Sequence, residues 1–161
     1  MRDPAADRQR VRTLIERAGV AMLMNVDEHG NHIGRPMLPL LVQNDPHIYF
    51  LTHHSSRKVT QLAARPQVGV SIISANCFIV VVGAAQASRE PELIRRLWSP
   101  TYRAWFPDGK DDREATALRV VIERVDYWEP PSTRVVRLVQ AVKALISGRG
   151  VDTPRKSLDG L

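Results

Sequence analysis

The segment from Phe50 to Lys58 carries the side chains best suited to chemistry. It reads Phe-Leu-Thr-His-His-Ser-Ser-Arg-Lys, so a strand end at Thr52 comes directly before the polar start of a helix. The first turn of a helix has N–H groups without intrahelical partners, and Arg and Lys add a fork of donors and a point charge. Ser56, Arg57 and Lys58 therefore form a candidate phosphate cradle. The alternative is a solvated helix cap followed by surface cations.

A further cation precedes this segment in Arg35-Pro-Met37. If its strand neighbours the strand at Ile48–Thr52, the guanidinium of Arg35 lies beside the same phosphate. The alternative is a surface arginine on an edge strand.

The histidines and the cysteine show no catalytic or metal-binding spacing. None of the five histidines lies in a His-Glu-x-x-His helix or near a cysteine pair, so no metal site is predicted. His53 and His54 adjoin the candidate cradle, where either could contact a ligand or face solvent. Cys77 opens an apolar strand and is predicted to be a buried, inert thiol.

Strands fill the middle of the predicted fold and helices flank it. Short polar turns join the first three strands, which is typical of an antiparallel meander. Pro36 and Pro39 in the second strand indicate an edge or an interrupted ladder. We expect a small antiparallel barrel with flanking helices. The predicted strands are Val20–Val26, His32–Val42, Ile48–Thr52, Val68–Ile73, Phe78–Ala87 and Ala117–Val125, and the predicted helices are residues 5–18, the segment between Ser56 and Pro66, Glu90–Trp98 and Val135–Ile146.

Length and charge describe one domain with a basic end. The 161 residues are 43% hydrophobic and 25% charged, which excludes a mostly disordered or fibrous chain. Much of the net charge of +6 lies from Arg134 onward, where six basic and two acidic residues occur. Residues 134–161 are predicted to form an amphipathic helix and, from Gly148, a flexible basic tail, within the same single domain as residues 1–133. Because the rest is almost balanced and holds no nucleic-acid-binding motif, nucleic-acid binding is disfavoured.

Targeting signals and disulfides are not expected. The first residues carry Asp and Arg in place of an apolar stretch, and no apolar run is long enough for a transmembrane segment. Cys77 is the single cysteine, which excludes an intrachain disulfide. These features predict a cytoplasmic protein.

Three short motifs follow one another along the chain: Arg35-Pro-Met37, Phe50-Leu-Thr52 and Ser56-Arg-Lys58. Together they resemble the flavin mononucleotide (FMN) site of split-barrel proteins related to pyridoxamine 5′-phosphate oxidase. The segment from Leu97 to Asp112, followed by Tyr127-Trp128, resembles the general stress protein 26 branch of that family. The resemblance implies a mainly β fold with flanking helices, a split β-barrel (a Greek-key antiparallel barrel) of the FMN-binding type.

The resemblance also implies a role for each matching residue. Arg35, Ser56, Arg57 and Lys58 match positions that hold the cofactor phosphate. The other matching positions lie along the ribityl chain or the ring, and the partner subunit of a homodimer supplies the aromatic pair. These positions are Pro36, Met37, Leu51, Thr52, Trp105 and Phe106. The implied cofactor is FMN, with FAD or a deazaflavin as alternatives, and the implied flavin sites lie at the dimer interface.

Three functions stay open at this stage. The first is a flavin-dependent oxidoreductase of the stress-protein branch, since a flavin needs no acid–base constellation from the protein. The second is a non-catalytic flavin-binding or flavin-storage protein. The third is a basic protein that binds nucleic acid or a membrane surface through its C-terminal segment. The vitamin B6 oxidase activity itself is disfavoured, because the strand that an Arg-Gln pair opens in full pyridoxamine phosphate oxidases begins here with Cys77-Phe78, and the C-terminal Arg and His motif is missing.

Overall fold

The computed structural model describes residues 4–74, 77–129 and 155–159. Three α-helices and eight β-strands lie in this part of the chain, with two short 3-10 helices between the third helix and the seventh strand. The helices are α1 (Pro4–Ala18), α2 (Arg57–Ala64) and α3 (Pro91–Leu97), the strands are β1 (Ala21–Val26), β2 (His32–Met37), β3 (Leu40–Leu41), β4 (Ile48–His53), β5 (Gln67–Ser74), β6 (Cys77–Ser88), β7 (Ala115–Trp128) and β8 (Arg155–Asp159), and the 3-10 helices are Pro100–Ala104 and Gly109–Asp111.

The strands form one curled antiparallel sheet, which confirms the predicted split barrel. Their order is β2-β1-β5-β6-β7-β4-β3, and β8 pairs with β7. The predicted ladder interruption is confirmed, because the chain leaves the ladder between Met37 and Leu40 and β2 lies at one end of the sheet order. The predicted second strand His32–Val42 is divided into β2 and β3, and both antiparallel pairings of the predicted meander are present, since β2 pairs with β1 and β3 pairs with β4. β4 also pairs with β7 towards the other end of the sheet order, so β2 and β4 are not neighbours.

Two apolar clusters hold the sheet in this shape. Alternate residues of the strands point into the barrel, where Phe50 and Tyr127 are fully buried and α1 contributes Val11 and Ile15. The opposite face of β4 contacts a second cluster formed with α3 and the first 3-10 helix. Since β4 is buried on both faces, the segment that leads into α2 is held firmly in place.

The C-terminal residues require one correction. The predicted flexible tail is wrong for Arg155–Asp159, which form β8 along β7. The buried carboxylate of Asp126 accepts hydrogen bonds from Arg155 (2.6 Å) and from the hydroxyl of Ser157, and Leu158 packs against the barrel core. These contacts offset the entropy cost of ordering the strand. The predicted helix Val135–Ile146 lies outside the described residues.

Candidate functional site

A cleft of about 480 Å³ opens between strands from the two ends of the sheet order. β2 and β4 are not hydrogen-bonded to each other, so the curl of the sheet brings them to one site. Eight of the ten cofactor residues expected from the sequence line this cleft, and Ser56 and Arg57 do not. The lining residues are Val20, Arg35, Pro36, Met37, Leu38, Leu51, Thr52, His53, Lys58, Tyr102, Trp105 and Phe106.

One end of the cleft is polar and cationic. The Lys58 ammonium donates a hydrogen bond of 2.7 Å to the hydroxyl of Thr52, whose oxygen lies 3.4 Å from the hydroxyl of Ser56. Ser56 is the N-cap residue of α2, and its side chain makes no capping bond within the described chain. Two hydroxyls, an ammonium and the start of a helix therefore meet beside β4, as an anion site requires.

Two cations at this end lack a carboxylate partner. Within residues 4–74, 77–129 and 155–159, neither Arg35 nor Lys58 makes an ion pair. Burial lowers the pKa of Lys58, and the positive charge of Arg35 lowers it further. An anion placed between these cations would remove that repulsion.

Arg35 is fixed by neutral oxygens. Its guanidinium donates one hydrogen bond to the amide oxygen of Asn25 and one of 3.1 Å to the amide oxygen of Gln61. The Asn25 amide nitrogen also donates to the Gln61 oxygen at 3.1 Å, so the three side chains form a closed network. The guanidinium of Arg35 is therefore held in a defined place by neutral acceptors.

Arg57 lies in a different environment from Lys58. Its guanidinium is 2.7 Å from the carboxylate of Glu28, and 79% of its side chain is exposed. It lines a second cleft of about 420 Å³ together with Gln61, Arg65 and others. The pKa of Glu28 is lowered to about 2 by its own backbone N–H, by Gln61 and by Arg57. The structure thus separates Arg57 from the other residues of the expected cradle.

The other end of the cleft is aromatic. The ring of His53 stacks on Phe106, with ring centroids 4.7 Å apart and planes 21° apart. Phe106 is buried, whereas Trp105 is 54% exposed at the cleft. Burial raises the pKa of Tyr102 to about 12, and its hydroxyl has no hydrogen-bond partner among the described residues. Trp105 and Phe106 line the cleft of the same chain as Lys58, and the expectation that the partner subunit supplies them stays a prediction.

The sequence matches a known family over most of its length. The model of the pyridoxamine 5′-phosphate oxidase-like family matches residues 6–152. The chain belongs to this family. No curated protein matches it significantly.

Solved structures show the same fold as this pyridoxamine 5′-phosphate oxidase-like chain. General stress protein 26 from Bacillus anthracis str. Sterne shares 18% identity over 74% of this chain and 92% of its own, with a TM-score of 0.68. A Clostridium acetobutylicum protein related to general stress protein 26 shares 21% identity over 77% and 89%, with a TM-score of 0.68. The general stress FMN/FAD binding protein of Xanthomonas citri shares 22% identity over 78% and 90%, also with a TM-score of 0.68.

The described residues of this family member were also compared with the requirements of a metal site, a reactive thiol and a membrane-spanning helix. No group of three His, Cys, Asp or Glu side chains there could hold a metal ion. Burial raises the pKa of Cys77 to about 11, so its buried thiol is neutral at physiological pH. His54 is exposed, and His53 lines the cleft. No helix of the described ranges is long and apolar enough to cross a bilayer.

Two residues beside the cleft, Asn25 and Gln61, were not among those expected from the sequence. Both are buried polar side chains that contact Arg35. Asn25 continues the inward row of Ala21 and Leu23, and a polar residue in an apolar row is a signal that could have been used. Gln61 lies beside Leu62 in α2, and only the three-dimensional structure brings it to Arg35.

Proposed function

We propose that this protein binds FMN in the cleft between β2 and β4. The observation that carries the proposal is that Arg35 and Lys58, neither of which has a carboxylate partner among the described residues, lie at one end of an otherwise largely apolar and aromatic cleft. The volume of about 480 Å³ lies within the range of small-molecule and cofactor sites. The family and the name of its Xanthomonas citri relative support a flavin.

The cationic end fits a phosphate. Arg35 offers further N–H donors, Lys58 offers a compact charge, and the hydroxyls of Thr52 and Ser56 lie beside the Lys58 ammonium. Burial and the neighbouring charge of Arg35 lower the pKa of the half-buried Lys58, and a dianionic phosphate would neutralise both cations. We propose that these four residues hold the phosphate of FMN.

The aromatic end fits a planar ring system. Trp105, Phe106 and His53 provide flat surfaces, and Met37 and Leu51 provide an apolar wall. Pro36 completes the wall on the β2 side. A flavin bound here would supply hydride or single-electron transfer, while the residues of the chain bind and orient it and exclude water.

We propose that the protein is a flavin-dependent oxidoreductase. A non-catalytic flavin-binding or storage protein is the alternative, and turnover of reduced nicotinamides in a steady-state assay separates the two.

Two further expectations from the sequence stay predictions. One is that the basic C-terminal segment binds nucleic acid or a membrane surface, and the other is the cytoplasmic location.

We propose further that two copies of the chain form a homodimer through the outer face of β1, β2, β5 and β6. Met22, Ile73 and Phe78 are large apolar side chains that are 41–68% exposed on this face. Pro36 belongs to the same face and also lines the cleft, so a partner on this face would adjoin the flavin. A symmetric dimer would cover these side chains and place the site at the interface.

The absorbance spectrum of the purified protein tests the cofactor proposal directly. We expect a flavin spectrum, or its appearance when FMN is added, and mass spectrometry of the released ligand should identify FMN rather than FAD or a deazaflavin. A colourless protein that quenches the fluorescence of none of these ligands would contradict the proposal. Sedimentation of the same sample should give a dimer.

A further inference from the structure

Asn25 and Gln61 are polar side chains in positions that otherwise favour apolar residues. Asn25 is 2% exposed and shares the inward face of β1 with Leu23. Gln61 is 8% exposed beside Leu62 on the buried side of α2. Burying an amide has a free-energy cost unless its hydrogen bonds are made, and both amides make theirs with each other and with Arg35.

Both acceptors are neutral although a carboxylate lies close by. The side chain of Glu28 accepts hydrogen bonds from the Gln61 amide nitrogen at 3.0 Å and from Arg57 at 2.7 Å. Gln61 therefore stands between Glu28 and Arg35, and its oxygen faces the guanidinium. A carboxylate in direct contact would hold the same geometry but would neutralise the charge of Arg35.

We propose that Asn25 and Gln61 are positioning residues that hold the guanidinium of Arg35 for the cofactor phosphate while leaving its charge uncompensated. Glu28 completes the arrangement by orienting the Gln61 amide, so that the oxygen and not the nitrogen faces Arg35. Arg35 has five N–H donors, and the two bonds to the amides leave three for a ligand. This inference rests on the proposed binding of FMN.

Removing the Gln61 acceptor tests the positioning role. Gln61→Met keeps the approximate size and removes the amide, and the dissociation constants of FMN and riboflavin are measured by fluorescence quenching. A guanidinium that is no longer oriented loses part of a charge-assisted interaction, so we expect FMN to bind about five- to twentyfold more weakly and riboflavin to change by less than about twofold. In an Arg35→Ala background, Gln61→Met should leave FMN affinity unchanged, because the residue acts through Arg35.

Changing the charge of the acceptor tests whether FMN binding needs the charge of Arg35 to stay uncompensated. Gln61→Glu keeps an oxygen acceptor at Arg35 but replaces the donor to Glu28 with a second carboxylate, so the thermal midpoint of the flavin-free protein should fall somewhat below that of the wild type. FMN should bind at least about tenfold more weakly, since the carboxylate now neutralises the cation, while riboflavin is unaffected. Asn25→Asp should act in the same direction and serves as the second variant if Gln61→Glu does not fold.

A matched control lies elsewhere on the protein. The amide oxygen of Gln86 accepts a hydrogen bond of 2.6 Å from Arg119, outside the cleft. Gln86→Met and Gln86→Glu should change neither FMN nor riboflavin affinity. If the Gln61 variants behave like these controls, or weaken both ligands equally, the positioning role is overturned. If wild-type protein binds no flavin at all, the proposed function fails instead, so the two failures are distinguishable.

Discussion

Arg57 and Lys58 are consecutive residues at the start of α2, yet their side chains serve different clefts. The Arg57 guanidinium lies 2.7 Å from the carboxylate of Glu28, while the Lys58 ammonium lies 2.7 Å from the hydroxyl of Thr52. Consecutive helix residues are about 100° apart around the axis, which accounts for the divergence. Arg57 is thereby ion-paired, whereas Lys58 has no carboxylate partner in the part of the chain that the structure describes.

The first prediction compares these neighbours. Lys58→Ala should weaken FMN about ten- to a hundredfold, because a hydrogen bond to a charged group contributes roughly 1.5–3 kcal/mol. Riboflavin, which lacks the phosphate, should be indifferent. Arg57→Ala is the matched control. Arg57 does not line the FMN cleft, and its exposed ion pair with Glu28 contributes at most about 1 kcal/mol to stability, so FMN affinity should change by less than about fivefold. An equal loss in both variants would mean that Arg57 leaves Glu28 to bind the phosphate.

The second prediction concerns stability without cofactor. The pKa of Lys58 is lowered by burial and by Arg35, so the charged side chain destabilises the folded state at pH values below the lowered pKa. Lys58→Met should therefore raise the thermal midpoint of the flavin-free protein, and its advantage should shrink as the pH rises from the lowered pKa toward the ordinary lysine range. With saturating FMN, ligand linkage should stabilise the wild type more than Lys58→Met. Thermal melts at several pH values check both statements, and a variant that is no more stable at neutral pH contradicts the first.

The elements of the fold were predictable because their signals are local. Helical spacing identified α1, and the apolar runs identified β5 and β6 to within a residue or two at each end. The full order of the strands was not predictable in this way, because nothing in β2 or β4 alone indicates that they lie in opposite halves of the sheet order. The site was predictable only in part for the same reason. Lys58 and Thr52 are close in sequence, whereas Gln61 meets Arg35 only after the sheet has curled.

The third prediction concerns Gly83, where the register of β6 and β7 shifts at a bulge. A Cβ atom at Gly83 would clash with the backbone carbonyl oxygen of Val121, and this contact can be relieved only by moving backbone. We expect Gly83→Ala to lower the free energy of unfolding by about 1–3 kcal/mol. Gly69→Ala is the control, because its Cβ meets the flexible end of Met24 at 3.2 Å. Urea unfolding of both variants measures their free energies of unfolding. Equal losses in the two variants would contradict the prediction.

The fourth prediction concerns the attachment of β8. Burial raises the pKa of Asp126, but Ser157, Arg155 and Arg124 outweigh this effect, so the pKa lies below its ordinary value. The stabilisation is present above the unfolded-state pKa and is lost as the pH falls through the folded-state pKa. Asp126→Ala should expose β8 amides to faster hydrogen exchange and lower the free energy of unfolding by about 1–3 kcal/mol. Asp159→Ala, at an exposed position of the same strand, should have little effect, and unchanged exchange in Asp126→Ala would show that β8 is held by other contacts.

The fifth prediction uses mixed dimers to establish which chain completes each site. Lys58 and Trp105 line the cleft of one and the same chain, 47 positions apart in the sequence. If this cleft holds the flavin, a heterodimer of a Lys58→Ala chain and a Trp105→Ala chain has two singly damaged sites, and neither binds FMN with wild-type affinity. The two chains are co-expressed with different tags, purified in tandem and titrated with FMN.

The opposite arrangement gives a different titration. Were Trp105 to serve the site of the partner, as the sequence analysis expected, one site of the heterodimer would be intact and the other doubly damaged, and half of the sites would bind FMN with wild-type affinity. The homodimer of each variant provides the reference affinity, and riboflavin distinguishes the two kinds of damage. Lys58→Ala should spare riboflavin, whereas Trp105→Ala should weaken riboflavin and FMN alike, because in the proposed site the indole would contact the ring and not the phosphate. If sedimentation shows a monomer that still binds FMN tightly, the dimer proposal is contradicted. The proposal that this cleft binds FMN would stand.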